Sequence, residues 1–166
     1  KEVGITFIFV THSQDEALAL SQRIAVMNQG RVEQIDEPNI IYSRPASRFV
    51  ADFVGKTNLL NAQVKQLTEM TMILQVEALG AISLPVSNHV KMGDEGVIAI
   101  RPEQISVHNT SEQAEAVCAF AGKVSDFLYV GDVTSYVIEL ENGACLEAML
   151  ANATPGMARF FEIGDR

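Results

Sequence analysis

A chain of 166 residues with 48% apolar side chains is long enough for one ordinary domain or two small ones, each with a buried core. Twelve basic against twenty-one acidic residues leave a net charge of -9; residues 1–57 carry six basic and seven acidic side chains, and residues 58–166 carry six and fourteen. No cluster of Lys and Arg exists to hold a phosphate backbone or an anionic lipid surface, which counts against nucleic acid as a partner.

Residues 4–10, Gly-Ile-Thr-Phe-Ile-Phe-Val, are apolar almost without interruption, the pattern of a strand covered on both faces in a parallel sheet with neighbours on either side. The run is far short of the roughly 20 residues of a membrane span and lacks the flanks of a signal peptide. The chain opens on Lys1 and enters this strand almost at once, so it reads as a fragment. Thr11-His12-Ser13 ends the strand, and Ser13 with Glu16 three residues on makes a capping-box start for a helix to about Gln22.

Residues 23–27 read as a second strand and residues 32–35 as a third, joined by a turn at Asn28-Gln29-Gly30-Arg31 into a hairpin at a sheet edge. Asp36 is expected to cap the next helix, with Pro38 in its first turn, Ile40, Ile41 and Tyr42 on its apolar side, and Pro45 at its end. A further helix over residues 46–54 puts Phe49, Val50, Phe53 and Val54 on one face, and Gly55 closes it.

At Lys56-Thr57-Asn58 helical periodicity gives way to short alternating runs broken by Gly, Asn and Pro, which places a boundary between a first domain, 1–57, and a second, 58–166. The second domain is expected to be mostly strand, with residues 97–100, 126–130, 133–140 and 144–149 the clearest runs and Glu141-Asn142-Gly143 a hairpin turn. Met92-Gly93-Asp94 and Ile163-Gly164-Asp165 read as equivalent turns of two similar β units, so the second unit is expected to lack its last strand. The fold class is an α/β remnant (strand, turn and helix, a hairpin, two helices) followed by a mostly β domain.

Two cysteines, Cys118 and Cys145, are too few for a disulfide framework and lie far from other ligand-like residues, which fits a reducing cytosol. His89 and His108 lack Cys or carboxylate neighbours at metal spacing and read as surface residues, so no metal site is expected. Arg101-Pro102-Glu103 is read as a strand end with Arg101 and Glu103 paired across a rigid Pro, in preference to a regulatory-ligand site. His12 alone stands where α/β proteins keep their chemistry, at the carboxyl end of a buried strand and just before a capped helix.

The segment Gly-Ile-Thr-Phe-Ile-Phe-Val-Thr-His-Ser-Gln-Asp-Glu-Ala, residues 4–17, resembles the histidine-switch segment of ATP-binding-cassette ATPases, with Ser13 where that family usually has Asp. Residues 23–31 resemble the family's hairpin, and Glu37-Pro38, Pro45, Phe49-Val50-Ala51 and Phe53-Val54-Gly55 its closing helices. Ile100-Arg101-Pro102-Glu103 and Tyr129-Val130-Gly131-Asp132 resemble the transport-associated, oligonucleotide-binding-like (TOBE) domain of importers, closest to putrescine and spermidine importers, with ferric-iron and sugar importers as near relatives.

The resemblance implies the C-terminal part of the ATP-hydrolysing subunit of an importer, peripheral on the inner face of the cell membrane. Its partners would be a second copy of the subunit and the membrane-spanning permease subunits, and the complete subunit would use ATP and Mg. It also implies that His12 reaches the γ-phosphate, where phosphoryl transfer needs a positioned donor. No phosphate loop is found: Gly55-Lys56-Thr57 has Val50 at the required glycine and follows a helix, and Gly122-Lys123 has Val117 there and Val124 at the hydroxyl position. The chain alone is therefore expected neither to hold nor to hydrolyse ATP. The alternative reading is a freestanding ligand-sensing or dimerisation module.

Overall fold

The structure, a computed structural model, describes residues 4–87, 89–108, 118–152 and 161–166. It is mostly β with few helices and divides into two compact units, Lys1–Gly55 and Lys56–Arg166.

In the first unit, α1 (Gln14–Leu20) is followed by β1 (Ile24–Asn28), β2 (Arg31–Asp36), α2 (Pro38–Ser43) and α3 (Arg48–Phe53). β1 and β2 pair antiparallel, and the two residues joining them, Gln29 and Gly30, both have positive φ (47° and 77°). That geometry matches the right-handed twist of the flanking strands, which is why a glycine belongs there. Val26 from the hairpin, Ile41 from α2, and Val50 and Val54 around α3 form one core, with Leu18, Ile24, Tyr42 and Phe49 packed on it.

Three local expectations are corrected. Asp36 does not cap α2, because its backbone is still paired with Ile24; Glu37 takes the cap position without a side-chain bond, and Pro38 supplies the fixed φ of the first turn. α3 is shorter than residues 46–54, because Ser47 Oγ accepts from Val50 N at 3.3 Å and sets the helix start one residue before Arg48. Ala46 N donates instead to Gln34 Oε1 at 2.8 Å, while Gln34 Nε2 donates to Arg44 O at 3.2 Å, so one side chain staples both sides of the Pro45 corner. On α3, Val50 and Val54 are buried and Phe49 packs on them as expected, whereas Phe53 is 42% exposed with its ring stacked on that of Phe49, and Ala51 is buried as well.

The widest departure is at residues 4–10, which join no ladder; Phe7, Ile8 and Val10 are 79%, 91% and 97% exposed. A continuously apolar sequence specifies a strand only where neighbours pair its backbone and cover both faces, and no described residue does so.

The second unit contains β3 (Asn58–Leu67), β4 (Thr71–Val76), β5 (Gly80–Pro85), β6 (Glu95–Ile100), a 3₁₀ turn (Pro102–Gln104), β7 (Gly122–Tyr129), β8 (Val133–Leu140) and β9 (Cys145–Ala151). They form two antiparallel sheets, ordered β5-β4-β3-β6 and β7-β8-β9. Val64, Leu74, Val76 and Ile82 fill the core of the first sheet; Val124, Tyr136 and Ala148 fill that of the second.

The two sheets repeat one design. Val64 stands opposite Leu74 and Leu74 opposite Ile82; Val124 stands opposite Ile138 and Ile138 opposite Leu146. Each central valine is followed at once by a β-bulge, between Val64 and Gln66 and between Val124 and Asp126. The Met-Gly-Asp and Ile-Gly-Asp turns dock onto those valines through the same bonds. Val64 N donates to Asp94 O and Gly93 N to Val64 O, both at 2.9 Å; Val124 N donates to Asp165 O and Gly164 N to Val124 O, both at 2.9 Å. The Asp94 carboxylate accepts from Lys91 N at 2.8 Å and the Asp165 carboxylate from Glu162 N at 2.9 Å.

Candidate functional site

His12 lies in the bend between residues 4–10 and α1, with its side chain exposed. The bend is built by its neighbours. Thr11 Oγ1 accepts from Ser13 N at 3.0 Å and donates to Glu16 Oε2 at 3.1 Å, while Ser13 Oγ accepts from Glu16 N at 3.4 Å. Ser13 thus occupies the cap position, and Glu16 reaches back two residues further than a capping box requires, to the Thr11 hydroxyl. Gln14 Oε1 accepts from Gly55 N at 2.8 Å, which fixes the start of α1 against the end of α3. The unit therefore holds the backbone on the C-terminal side of His12 while leaving the imidazole accessible.

In the second unit the residues of the Arg-Pro-Glu motif do more than end a strand. Arg101 is buried, and its guanidinium donates to Lys56 O at 3.2 Å and to Thr57 Oγ1. Pro102, beside it, is fully buried. Asn58, which sequence reasoning passed over, is the joint between the sheets. Its Nδ2 donates to Glu147 O at 2.8 Å and to Ile100 O at 3.2 Å, and its Oδ1 accepts from Glu147 N at 2.7 Å. The side-chain amide thus mimics a peptide group and pairs with β9 as a further strand would. The available signal was an amide at the head of an alternating run, which composition alone does not separate from a surface Asn.

Neither glycine-lysine pair forms a phosphate cradle. Gly55 follows α3, and Lys56 Nζ meets Glu147 Oε2 at 3.1 Å; Gly122 and Lys123 lie inside β7. Neither pair thus offers the backbone N–H groups of a loop before a helix N-terminus to a phosphate group. Among them no group of three or more His, Cys, Asp or Glu is placed to hold a metal ion, and no helix is long and apolar enough to cross a membrane. Cys118 and Cys145 are free thiols.

The TOBE domain family matches residues 98–166. The spermidine/putrescine import ATP-binding protein PotA of Nitrosomonas europaea is 64% identical over 165 residues, covering 99% of this chain and 46% of that protein. PotA 2 of Pseudomonas aeruginosa is 52% identical and PotA of Chromobacterium violaceum 47% identical, with the same coverage on both sides. The chain spans about half the length of these curated relatives. Over 99% of its length the chain is thus similar to part of ATP-binding proteins named for spermidine and putrescine import, and its residues 98–166 match the TOBE domain.

Proposed function

We propose that this chain is part of the ATP-hydrolysing subunit of an importer that takes up a small solute, with polyamines as the substrate class. The observation that carries the reading is alignment of 99% of the chain, at 64% identity, with a protein named for spermidine and putrescine import and ATP binding. Residues 1–57 are then the end of the nucleotide-binding domain and residues 58–166 the TOBE domain, which serves subunit pairing and regulation. The complete subunit uses ATP and Mg, pairs with a second copy of itself, and sits on the cytoplasmic face of the membrane against permease subunits.

His12 is the residue of this chain that meets the nucleotide, donating an imidazole N–H toward its terminal phosphate. Its exposed position beside a fixed helix start supports that role. In the complete subunit assembled with its permease, His12→Ala is expected to lower ATP turnover on the order of 100-fold, the usual effect of losing one preorganised donor, without lowering the melting temperature. An unchanged rate refutes the role of His12. Cells lacking the complete subunit should lose uptake of radiolabelled putrescine or spermidine; intact uptake refutes the substrate class.

A further inference from the structure

Packing holds α1 only lightly. None of its seven residues is buried; Leu18 joins the core of the first unit as a partly buried side chain, and Leu20 is 70% exposed. The bonds that shape the bend before it join Thr11, Ser13 and Glu16 to one another. Bonds as local as these fix the shape of the bend but not its place in the unit.

Gln14 supplies that place. Its Oε1 accepts from Gly55 N at 2.8 Å, across 41 residues of chain. Gly55 is a firm anchor, because it follows directly on Val54, which is buried in one core with Val50 and Ile41. Its φ of 76° is the left-handed conformation that lets a chain leave a helix end at little cost to glycine, and it carries the N–H that Gln14 meets. The lightly packed start of α1, two residues after His12, is thereby tied to the best-packed corner of the unit.

We propose that Gln14 is a positioning residue for His12: through Gly55 it fixes where the bend presents the imidazole to the terminal phosphate of the nucleotide. This rests on the reading that His12 meets that phosphate in the complete subunit. A hydrogen-bond donor acts on a transferring phosphoryl group only when it is held in place beforehand, so a bend free to drift with α1 loses turnover even with its histidine intact.

The test compares three variants of the complete subunit assembled with its permease. Gln14→Met keeps the length and helix propensity of the side chain and removes the acceptor. It is expected to lower kcat for ATP by roughly tenfold with KM unchanged, and to lower it no further in a His12→Ala background, since a residue that acts through another adds nothing once that one is gone. In the 166-residue chain, NMR should show amide exchange at Gly55 faster by about fivefold or more in Gln14→Met, and slow again in Gln14→Glu, which keeps an acceptor. Unchanged exchange at Gly55 in Gln14→Met overturns the tie. An unchanged kcat in Gln14→Met beside a crippled His12→Ala overturns the positioning role and leaves the reading of His12 intact; an unchanged rate in His12→Ala overturns both. A further loss from Gln14→Met in the His12→Ala background makes the residue merely structural, and likewise overturns the proposal.

Discussion

Asn58→Ala tests whether the side-chain amide is what joins the two sheets of the second unit. The substitution removes all three bonds at 2.7, 2.8 and 3.2 Å, and leaves Glu147 N–H and C=O without their partner. A buried backbone group left unpaired costs about 1–3 kcal/mol. Two are affected, but the Glu147 side chain is 45% exposed and lets water reach the site, so the expected loss is about 2–3 kcal/mol rather than the full sum. For a unit of this size that corresponds to a melting temperature lower by roughly 8–12 °C. Near-ultraviolet circular dichroism through thermal and urea unfolding reads the effect, because the ring of Tyr136 is buried in the second sheet. Asn58→Asp keeps an acceptor for Glu147 N–H but sets a carboxylate against two carbonyl oxygens, and should lose at least as much. A change within about 0.5 kcal/mol for Asn58→Ala, the range of an ordinary surface substitution, refutes the joint.

Two glycines in adjacent repeats should behave oppositely in urea unfolding. A methyl group at Gly122 would lie 2.6 Å from Ile138 Cγ2 and 3.2 Å from Glu139 O, so Gly122→Ala should cost about 1–3 kcal/mol. At Gly96 nothing lies within 4 Å, so Gly96→Ala should be neutral or stabilise by up to about 1 kcal/mol. Thr134 is fully buried, with Oγ1 2.8 Å from Asn152 Oδ1, while Asn152 Nδ2 donates to Gly131 O at 2.8 Å. Thr134→Val should cost about 1–2 kcal/mol by stripping Asn152 of that donor, and Thr134→Ser, which keeps the hydroxyl, should cost less.

Legibility in the sequence followed the locality of the physics. β8 coincides with its expected span of 133–140, because its apolar residues are bounded by Gly-Asp on one side and Glu-Asn-Gly on the other. The paired turns at Gly93 and Gly164 were readable from a repeated tripeptide, and they make the same bonds. β3, β4 and β5 were not resolved as separate strands. The bulge at Lys65 breaks the two-residue alternation, and Asn, Gln and Thr on the solvent face dilute it. The cap of α2 was misassigned because Asp36 and Glu37 are both plausible from sequence, and only the pairing of Asp36 with Ile24 decides between them. The apolar run at residues 4–10 carries the mark of a buried strand, but pattern alone supplies no partner. His12 was singled out by position and resemblance, whereas the roles of Asn58 and Arg101 depend on distant backbone groups, at Glu147 and Lys56, that no local pattern could bring together.

The near-identity of the two meanders also bears on how the second unit reaches its native state. Most of its ladders join consecutive strands and can close early, whereas β6 must return past β4 and β5 to find β3. While it searches, β6 can meet the end strand β7 as well as its own partner β3, and at high concentration the edges of other chains compete too. Discrimination then rests on what differs between the edges: Asn58 and Leu60 lie within β3 and pair with β6, whereas β7 begins only at Gly122. Refolding yield should therefore fall with concentration through exchanged strands, a kinetic burden that a protein built from two dissimilar sheets would not carry.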